Sequence, residues 1–258
     1  MPLSPIDALV LGCDAGHRID VNKRGYVSLL PPKTRVTGDS AEMLEARARF
    51  FDTGAYAPIA EAVSDAAVTV TDASGLRIAE IGCGTGYYLA ALCAALPGSR
   101  PLASDLSPAA VRVAVGAVPG AVGVVLDVWQ PLPLADASQD VLLSVFAPRN
   151  LPEFARVLDT GGIFLAVVPS GAHLSEARAA GLALDVPDGK ADDLIRSAEP
   201  WFELAGRREV EFVMHLEGEN LALLLGMGPS AHHTLAGGQD VPTRVTASVS
   251  VLTFRRRT

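Results

Sequence analysis

The stretch Glu80-Ile81-Gly82-Cys83-Gly84-Thr85-Gly86 restricts what this chain can fold into more than any other segment. It follows a short apolar run, Leu76 to Ala79, and precedes a run of helical character, Tyr87 to Leu96. A strand, a glycine turn and a helix in that order form a loop suited to a nucleotide-type cofactor. Glycines at alternate positions let the backbone bend sharply and let a ligand approach the peptide groups. The helix behind them offers unsatisfied N–H groups and the positive end of its dipole. The pattern E-x-G-x-G-x-G is neither the G-x-G-x-x-G of dinucleotide folds nor the G-x-x-x-x-G-K of phosphate loops. No lysine is present to hold a polyphosphate, and an acid ends the strand. Such an acid repels phosphates but suits an ammonium group, as in the methionine end of S-adenosylmethionine. Glu80, Gly82, Cys83, Gly84 and Gly86 are therefore candidate cofactor residues.

The alternation continues downstream. Leu102-Ala103-Ser104-Asp105 ends a second strand, Pro108 to Val118 is helical, and Val122 to Leu126 is a third strand ending at Asp127. Val141 to Phe146, a helix over Leu151 to Leu158, and a strand over Ile163 to Val168 follow. Helices from Ala191 to Ala198 and Glu219 to Leu225, with strands from Glu209 to His215 and Thr246 to Phe254, complete the core. Short loops between alternating strands and helices imply an α/β fold with a doubly wound, mostly parallel sheet. Ligands of such sheets sit at the carboxyl ends of the strands, where Glu80, Asp105 and Asp127 all fall. Asp105, with Leu106 beside it, is placed to accept ribose hydroxyls. Asp127 is placed to take the adenine amino group, with Val128 or Trp129 packing on the ring.

Ahead of the loop, residues 1–35 carry turn signals and read as a small, irregular or β module. Cys13 and His17 have the spacing of half a zinc site, and a structural zinc needs four ligands. Gly38-Asp39-Ser40-Ala41-Glu42 opens a helix, with Asp39 expected to cap it and Glu42 to close a capping box. Met43, Ala46, Phe50 and Phe51 form its apolar face, leaving Arg47 and Arg49 outward. Gly54 should end it, and a second helix should run from Tyr56 to about Ala67.

Of the 258 residues, 49% are hydrophobic, enough for a sizeable core, yet no apolar run reaches the ~18–20 residues of a membrane span. The three cysteines form no C-x-x-C pair, and no secretory signal is evident, which fits a reducing cytoplasm. A formal charge of −8 argues against a protein that coats nucleic acid over its whole surface. Local basic stretches remain: Arg18, Lys23, Arg24, Lys33 and Arg35 against Asp20, and the tail Arg255-Arg256-Arg257, read as a solvated face.

Several blocks together resemble the bacterial 23S ribosomal RNA guanine-N1 methyltransferases, closest to the branch conferring tylosin-type macrolide resistance. They are Cys13-x-x-x-His17 with Asp20, Gly25-Tyr26-Val27-Ser28-Leu29-Leu30, and Gly38-Asp39-Ser40-Ala41-Glu42-Met43 with Tyr56. Gly82-Cys83-Gly84-Thr85-Gly86-Tyr87-Tyr88, Val145-Phe146-Ala147-Pro148-Arg149-Asn150, Pro169 with His173-Leu174, and Met227-Gly228-Pro229-Ser230 extend the match over nearly the whole chain. The resemblance implies a Rossmann-like class I methyltransferase domain over 36–258 with a seven-stranded sheet, behind a zinc-ribbon module over 1–35. It also implies S-adenosylmethionine contacts from Tyr56, the glycine loop and His173, a 23S rRNA hairpin substrate near the macrolide tunnel, and a homodimer. The ribbon departs from the family pattern. Its first C-x-x-C pair would precede Pro2-Leu3-Ser4, so the chain is expected to begin inside the ribbon, and Cys13 with His17 is expected not to hold zinc tightly.

For the chemistry, Phe146 is the candidate platform for the extruded base. Arg149 is the candidate stabiliser of negative charge at guanine O6, and Asn150 the cap of the next helix. No general base is evident, His173 being either a cofactor contact or a proton acceptor. A methyltransferase of the same fold acting on a small molecule, and a cofactor-binding chain without rRNA activity, are the competing readings.

Overall fold

The computed structural model describes residues 3–31, 34, 38–71, 74–228 and 242–257. Pro2, Lys33, Arg35, Pro229 and Ser230, all named above, lie outside the described residues.

The glycine loop joins β5 (Arg77–Ile81) to α3 (Tyr87–Ala95), as its sequence predicts. Strands β6 (Arg100–Asp105), β7 (Val122–Val125), β8 (Gln139–Val145) and β9 (Leu158–Pro169) run parallel to it. β11 (Arg244–Arg256) and β10 (Phe202–His215) close that side antiparallel. The order β7-β6-β5-β8-β9-β11-β10 is the expected seven-stranded sheet. Winding reverses between β5 and β8, so a crevice opens above the carboxyl ends of those two strands.

Four further strands extend the sheet beyond β7. They are β1 (Ser4–Asp7), β2 (Val10–Gly12), β3 (Arg18–Asn22) and β4 (Tyr26–Ser28). The first three joints are antiparallel, but β4 lies parallel to β7, giving eleven strands in all. The register sorts the basic residues of this segment. Gly12 faces Arg18, Asn22 faces Tyr26, and Ser28 faces Val125 at the carboxyl end of β7. The turn Cys13 to His17 and Arg18 therefore lie at the crevice end of the sheet. Lys23 and Arg24 lie at the other end, a strand length of about 13–16 Å away.

Both faces of the sheet are covered because the central strands are apolar on both sides. Along β9, Ile163, Leu165 and Val167 pack with α2 (Ala57–Val70), α3 and α4 (Pro108–Ala117). Phe164, Ala166 and Val168 pack with α5 (Leu151–Val157) and α7 (Lys190–Ala198). A short helix absent from the sequence reading, α6 (Ser175–Ala179), follows β9.

α1 (Ala41–Asp52) differs from expectation at its start. Ser40 caps it, its side chain accepting from Met43 N, while Asp39 turns to ion-pair with Arg47. Arg47 points inward, donating also to the carbonyl of Met227 at 2.6 Å, at the end of α8 (Glu219–Gly226). The reason is tertiary: α8 packs along α1 and offers an unsatisfied C-terminal carbonyl, which a cation satisfies well. In the tail, Arg255 and Arg257 are exposed and Arg256 is half-buried, while Arg255, Arg256 and Arg257 donate to the carbonyls of Val70, Leu158 and Phe202 respectively.

Candidate active site

A cavity of about 470 Å³ lies above β5 and β8, within the usual range for a small-molecule site. Glu80 to Thr85 of the glycine loop, Asp105, Leu106, Asp127, Val128, Phe146, His173 and Tyr56 all line it. Its opposite wall comes from α1 and α8, through Arg47, Phe51, Leu224, Leu225 and Met227.

The loop glycines have different reasons for being glycine. Gly84 has φ +51°, and a Cβ there would stand 2.9 Å from Nη1 of Arg47. Gly86, at φ +79°, does not line the cavity; a Cβ on it would press on Ala114 of α4 and on Val118 just past its end at 3.0–3.1 Å. Gly86 thus sets how closely α3 approaches α4 rather than touching a ligand.

Glu80 sits at the foot of the cavity, 1% exposed. Its Oε2 and the hydroxyl of Tyr88 are buried without a hydrogen-bond partner among the described residues. Burial pushes the Glu80 carboxyl well above its ordinary range, and the neighbouring Asp105 charge pushes the same way. A cation placed against it would favour the ionised form again. Asp105 is aimed by two backbone donors, Gly84 N to Oδ2 at 3.0 Å and Ser107 N to Oδ1 at 2.9 Å. Each oxygen keeps a lone pair free for a hydroxyl. Asp127 accepts from Trp129 N at 3.0 Å, and Asn150 Nδ2 holds the carbonyl of Val128 at 2.9 Å. Asn150 makes no side-chain cap on α5, contrary to expectation; it is spent on pinning this loop.

Phe146 and Leu174, both lining the cavity, adopt left-handed backbone with φ of 52° and 55°. Such conformations are costly for large side chains and concentrate at functional sites. The turn at Phe146 swings its ring, 41% exposed, over the mouth, 5.7 Å from the His173 ring. The same turn sends Arg149 elsewhere. It is not among the cavity residues; its Nη2 reaches the carbonyl of Val167 at 3.4 Å, and its buried Nε has no partner among the described residues. Burial lowers its pKa to about 10.

His173 is buried, and its Nδ1 accepts from Ser248 N at 3.2 Å while Nε2 faces the Tyr56 hydroxyl at 3.5 Å. Burial and the Arg178 charge lower its pKa to about 4. Neutral imidazole with Nδ1 as acceptor carries its hydrogen on Nε2. His173 is therefore arranged as a donor toward Tyr56, not as a base toward the cavity. Sequence reasoning missed Arg47, Phe51, Tyr87, Tyr88 and the α8 residues; the two tyrosines had a signal, their place directly behind the glycine loop.

Away from the cavity, Cys13 Sγ lies 3.3 Å from His17 Nδ1. No group of three or more His, Cys, Asp or Glu side chains suited to a metal occurs among the described residues. Two ligands do not make a tetrahedral site.

Comparison with known proteins bears on this geometry. Residues 78–162 match a family described as a methyltransferase domain. The 23S rRNA (guanine(748)-N(1))-methyltransferase of Streptomyces fradiae is 38% identical over 86% of this chain and 80% of its own length. A Micromonospora griseorubida protein named for guanine-N1 methylation of 23S rRNA is 40% identical over 97% of this chain and 88% of its own. The chain belongs to the 23S rRNA guanine-N1 methyltransferase family. Among solved structures, a methyltransferase of Bacillus halodurans superposes with TM-score 0.55 at 17% identity, covering 76% of this chain and 99% of that one. The Haloferax volcanii complex of the Trm112 activator and a methyltransferase gives TM-score 0.56 at 18% identity, covering 85% and 99%. Both likenesses concern the fold: a Rossmann-like methyltransferase sheet. Among the described residues no helix is long and apolar enough to cross a membrane.

Proposed function

We propose that this chain transfers the methyl group of S-adenosylmethionine to N1 of a guanine in 23S ribosomal RNA. The observation that carries this reading is the orphaned, buried Oε2 of Glu80 at the foot of a glycine-walled cavity. Two relatives named for this chemistry match over most of the chain, which favours RNA over a small-molecule acceptor.

The cofactor supplies a methyl group that is electrophilic by itself, so the protein's work is orientation and exclusion of water. Glu80 takes the ammonium group, Asp105 the ribose hydroxyls, and the Asp127–Trp129 loop the adenine. Tyr56 and His173, joined through Nε2, wall the site on the side facing the base. Phe146 receives the flipped guanine on its exposed ring. Arg149, which does not line the cavity, takes no part at guanine O6. The N1 proton passes to solvent water and not to His173, whose Nδ1 accepts from Ser248 N and whose Nε2 carries a hydrogen toward Tyr56.

Residues 1–35 serve as the RNA-contact module and 36–258 as the catalytic domain, with Arg18 the phosphate contact nearest the cavity. A hairpin target near the macrolide tunnel and a homodimeric assembly belong to the same reading; chemical footprinting and sedimentation velocity test them. The principal test is transfer from radiolabelled cofactor to deproteinised 23S rRNA. N1-methylguanine blocks base pairing, so a reverse-transcription stop at one guanine is expected. Label found only in an added macrolide would overturn the assignment.

A further inference from the structure

Trp129 is 64% exposed, although tryptophan is among the more buried residue types on average. Among the described residues, Trp129 and Phe146 are the exposed aromatic side chains, and both line the same cavity. The loop that presents Trp129 is fixed in place. Gln130 N donates to the carbonyl of Asp127 at 3.1 Å and closes the turn. Asn150 Nδ2 donates to the carbonyls on either side of the indole, those of Val128 at 2.9 Å and Gln130 at 3.5 Å. Asn150 follows Phe146 by four residues, so one amide couples the two aromatic positions. Asp127 and Val128 are half-buried and suffice for the adenine, which leaves the outward indole of Trp129 without a task. Electrostatics restrict what it can hold. The cavity carries Asp39, Glu80, Asp105 and Asp127 against Arg47, the one Lys or Arg among its described lining residues. Phosphate is repelled there, whereas the face of a base carries no net charge and stacks on an aromatic ring.

We propose that Trp129 is a second base platform, which holds the unpaired nucleotide directly next to the guanine that Phe146 receives. The inference rests on the rRNA reading above and deepens it. The substrate becomes a step of two unpaired bases, not a single extruded one. A guanine inside a continuous duplex has only stacked and paired neighbours, so the second ring favours targets in loops.

A hairpin RNA built around the guanine located by the reverse-transcription stop tests this, beside two copies with an abasic site on its 5′ or its 3′ side. The wild-type chain should bind one of the abasic RNAs roughly 5- to 100-fold more weakly than the intact hairpin, the scale of one base–aromatic stack. Trp129→Ala should weaken the intact hairpin by a similar factor and no longer distinguish it from that abasic RNA. Trp129→Phe should restore most of the affinity. Because a stack adds no charge, Trp129→Ala should leave the slope of log affinity against log salt unchanged. Calorimetry with S-adenosylmethionine should show affinity within about twofold of the wild type. Equal affinity of the wild type for all three RNAs, or an abasic penalty that persists undiminished in Trp129→Ala, would overturn the proposal. So would a loss of S-adenosylmethionine affinity in proportion to RNA affinity, which puts the indole in the adenine wall. A changed sedimentation coefficient in the variant also overturns it, since the indole then lies between copies of this chain. A wild-type chain that methylated no RNA would instead overturn the reading on which the proposal rests.

Discussion

The backbone N–H of Ser248 donates to Nδ1 of His173 at 3.2 Å, and this one bond decides the tautomer of an imidazole on the cavity wall. Ser248 lies in β11, and His173 follows β9, its antiparallel neighbour in the sheet. The bond holds the ring neutral, with its remaining hydrogen toward Tyr56. Acid should therefore act on the fold through this residue. A His whose folded pKa is lowered from about 6.5 to about 4 contributes stability that is present above pH 6.5 and lost as pH falls toward 4. Denaturant unfolding at pH 7 and pH 5 should show His173 accounting for about 2 kcal/mol of the loss, and His173→Gln should flatten the profile by that amount. An unchanged profile in the variant would mean that the ring is not held neutral.

Glu80 titrates with the opposite sign. Its raised folded pKa means that its contribution to stability is present below the ordinary carboxylate range and lost as pH rises through the folded value. Glu80→Gln should raise the melting temperature of the ligand-free chain at pH 8, with the difference shrinking toward pH 4. The same change should weaken S-adenosylmethionine. Binding to the wild type should release a proton, so the measured heat should vary with the ionisation enthalpy of the buffer.

Phe146 joins a strained backbone to an exposed ring. Phe146→Ala should slow methyl transfer roughly 10- to 100-fold, the scale of one lost base–aromatic stack. Affinity for S-adenosylmethionine should stay within about twofold, and Phe146→Tyr should restore most of the rate. A variant that lost cofactor affinity in proportion to rate would place Phe146 in the cofactor wall instead.

The basic residues of the N-terminal hairpin should divide by position. Arg18→Ala should reduce the slope of log affinity for rRNA against log salt by about one. Lys23→Ala and Arg24→Ala, at the other end of β3, should leave the slope unchanged. Equal effects from all three would show that RNA runs along the strand and not across its crevice end.

Much of the fold was legible because it is written locally. Each core strand and helix carries its own apolar period, and the glycine loop announces both the strand before it and the helix after it. Sequence failed where a residue's partner is far along the chain. Arg47 reads as an outward position on an amphipathic helix, but α8 supplies a carbonyl 180 residues away and the side chain turns inward. Asp39 reads as the cap, and only the backbone angles entering α1 put Ser40 there instead. Asn150 reads as a cap because it precedes a helix; the Val128 carbonyl, 22 residues earlier, claims its amide instead.

By itself, then, the order of residues determined the class of sheet, the end of it that opens, and the acids that stand there, because hydrophobic period and glycine spacing act over a few residues. Folding in three dimensions decided which polar groups reach the cavity and in what protonation state. Those outcomes depend on burial and on hydrogen bonds between segments that only packing brings together: Ser248 on His173, Met227 on Arg47, and the closed interior around Glu80.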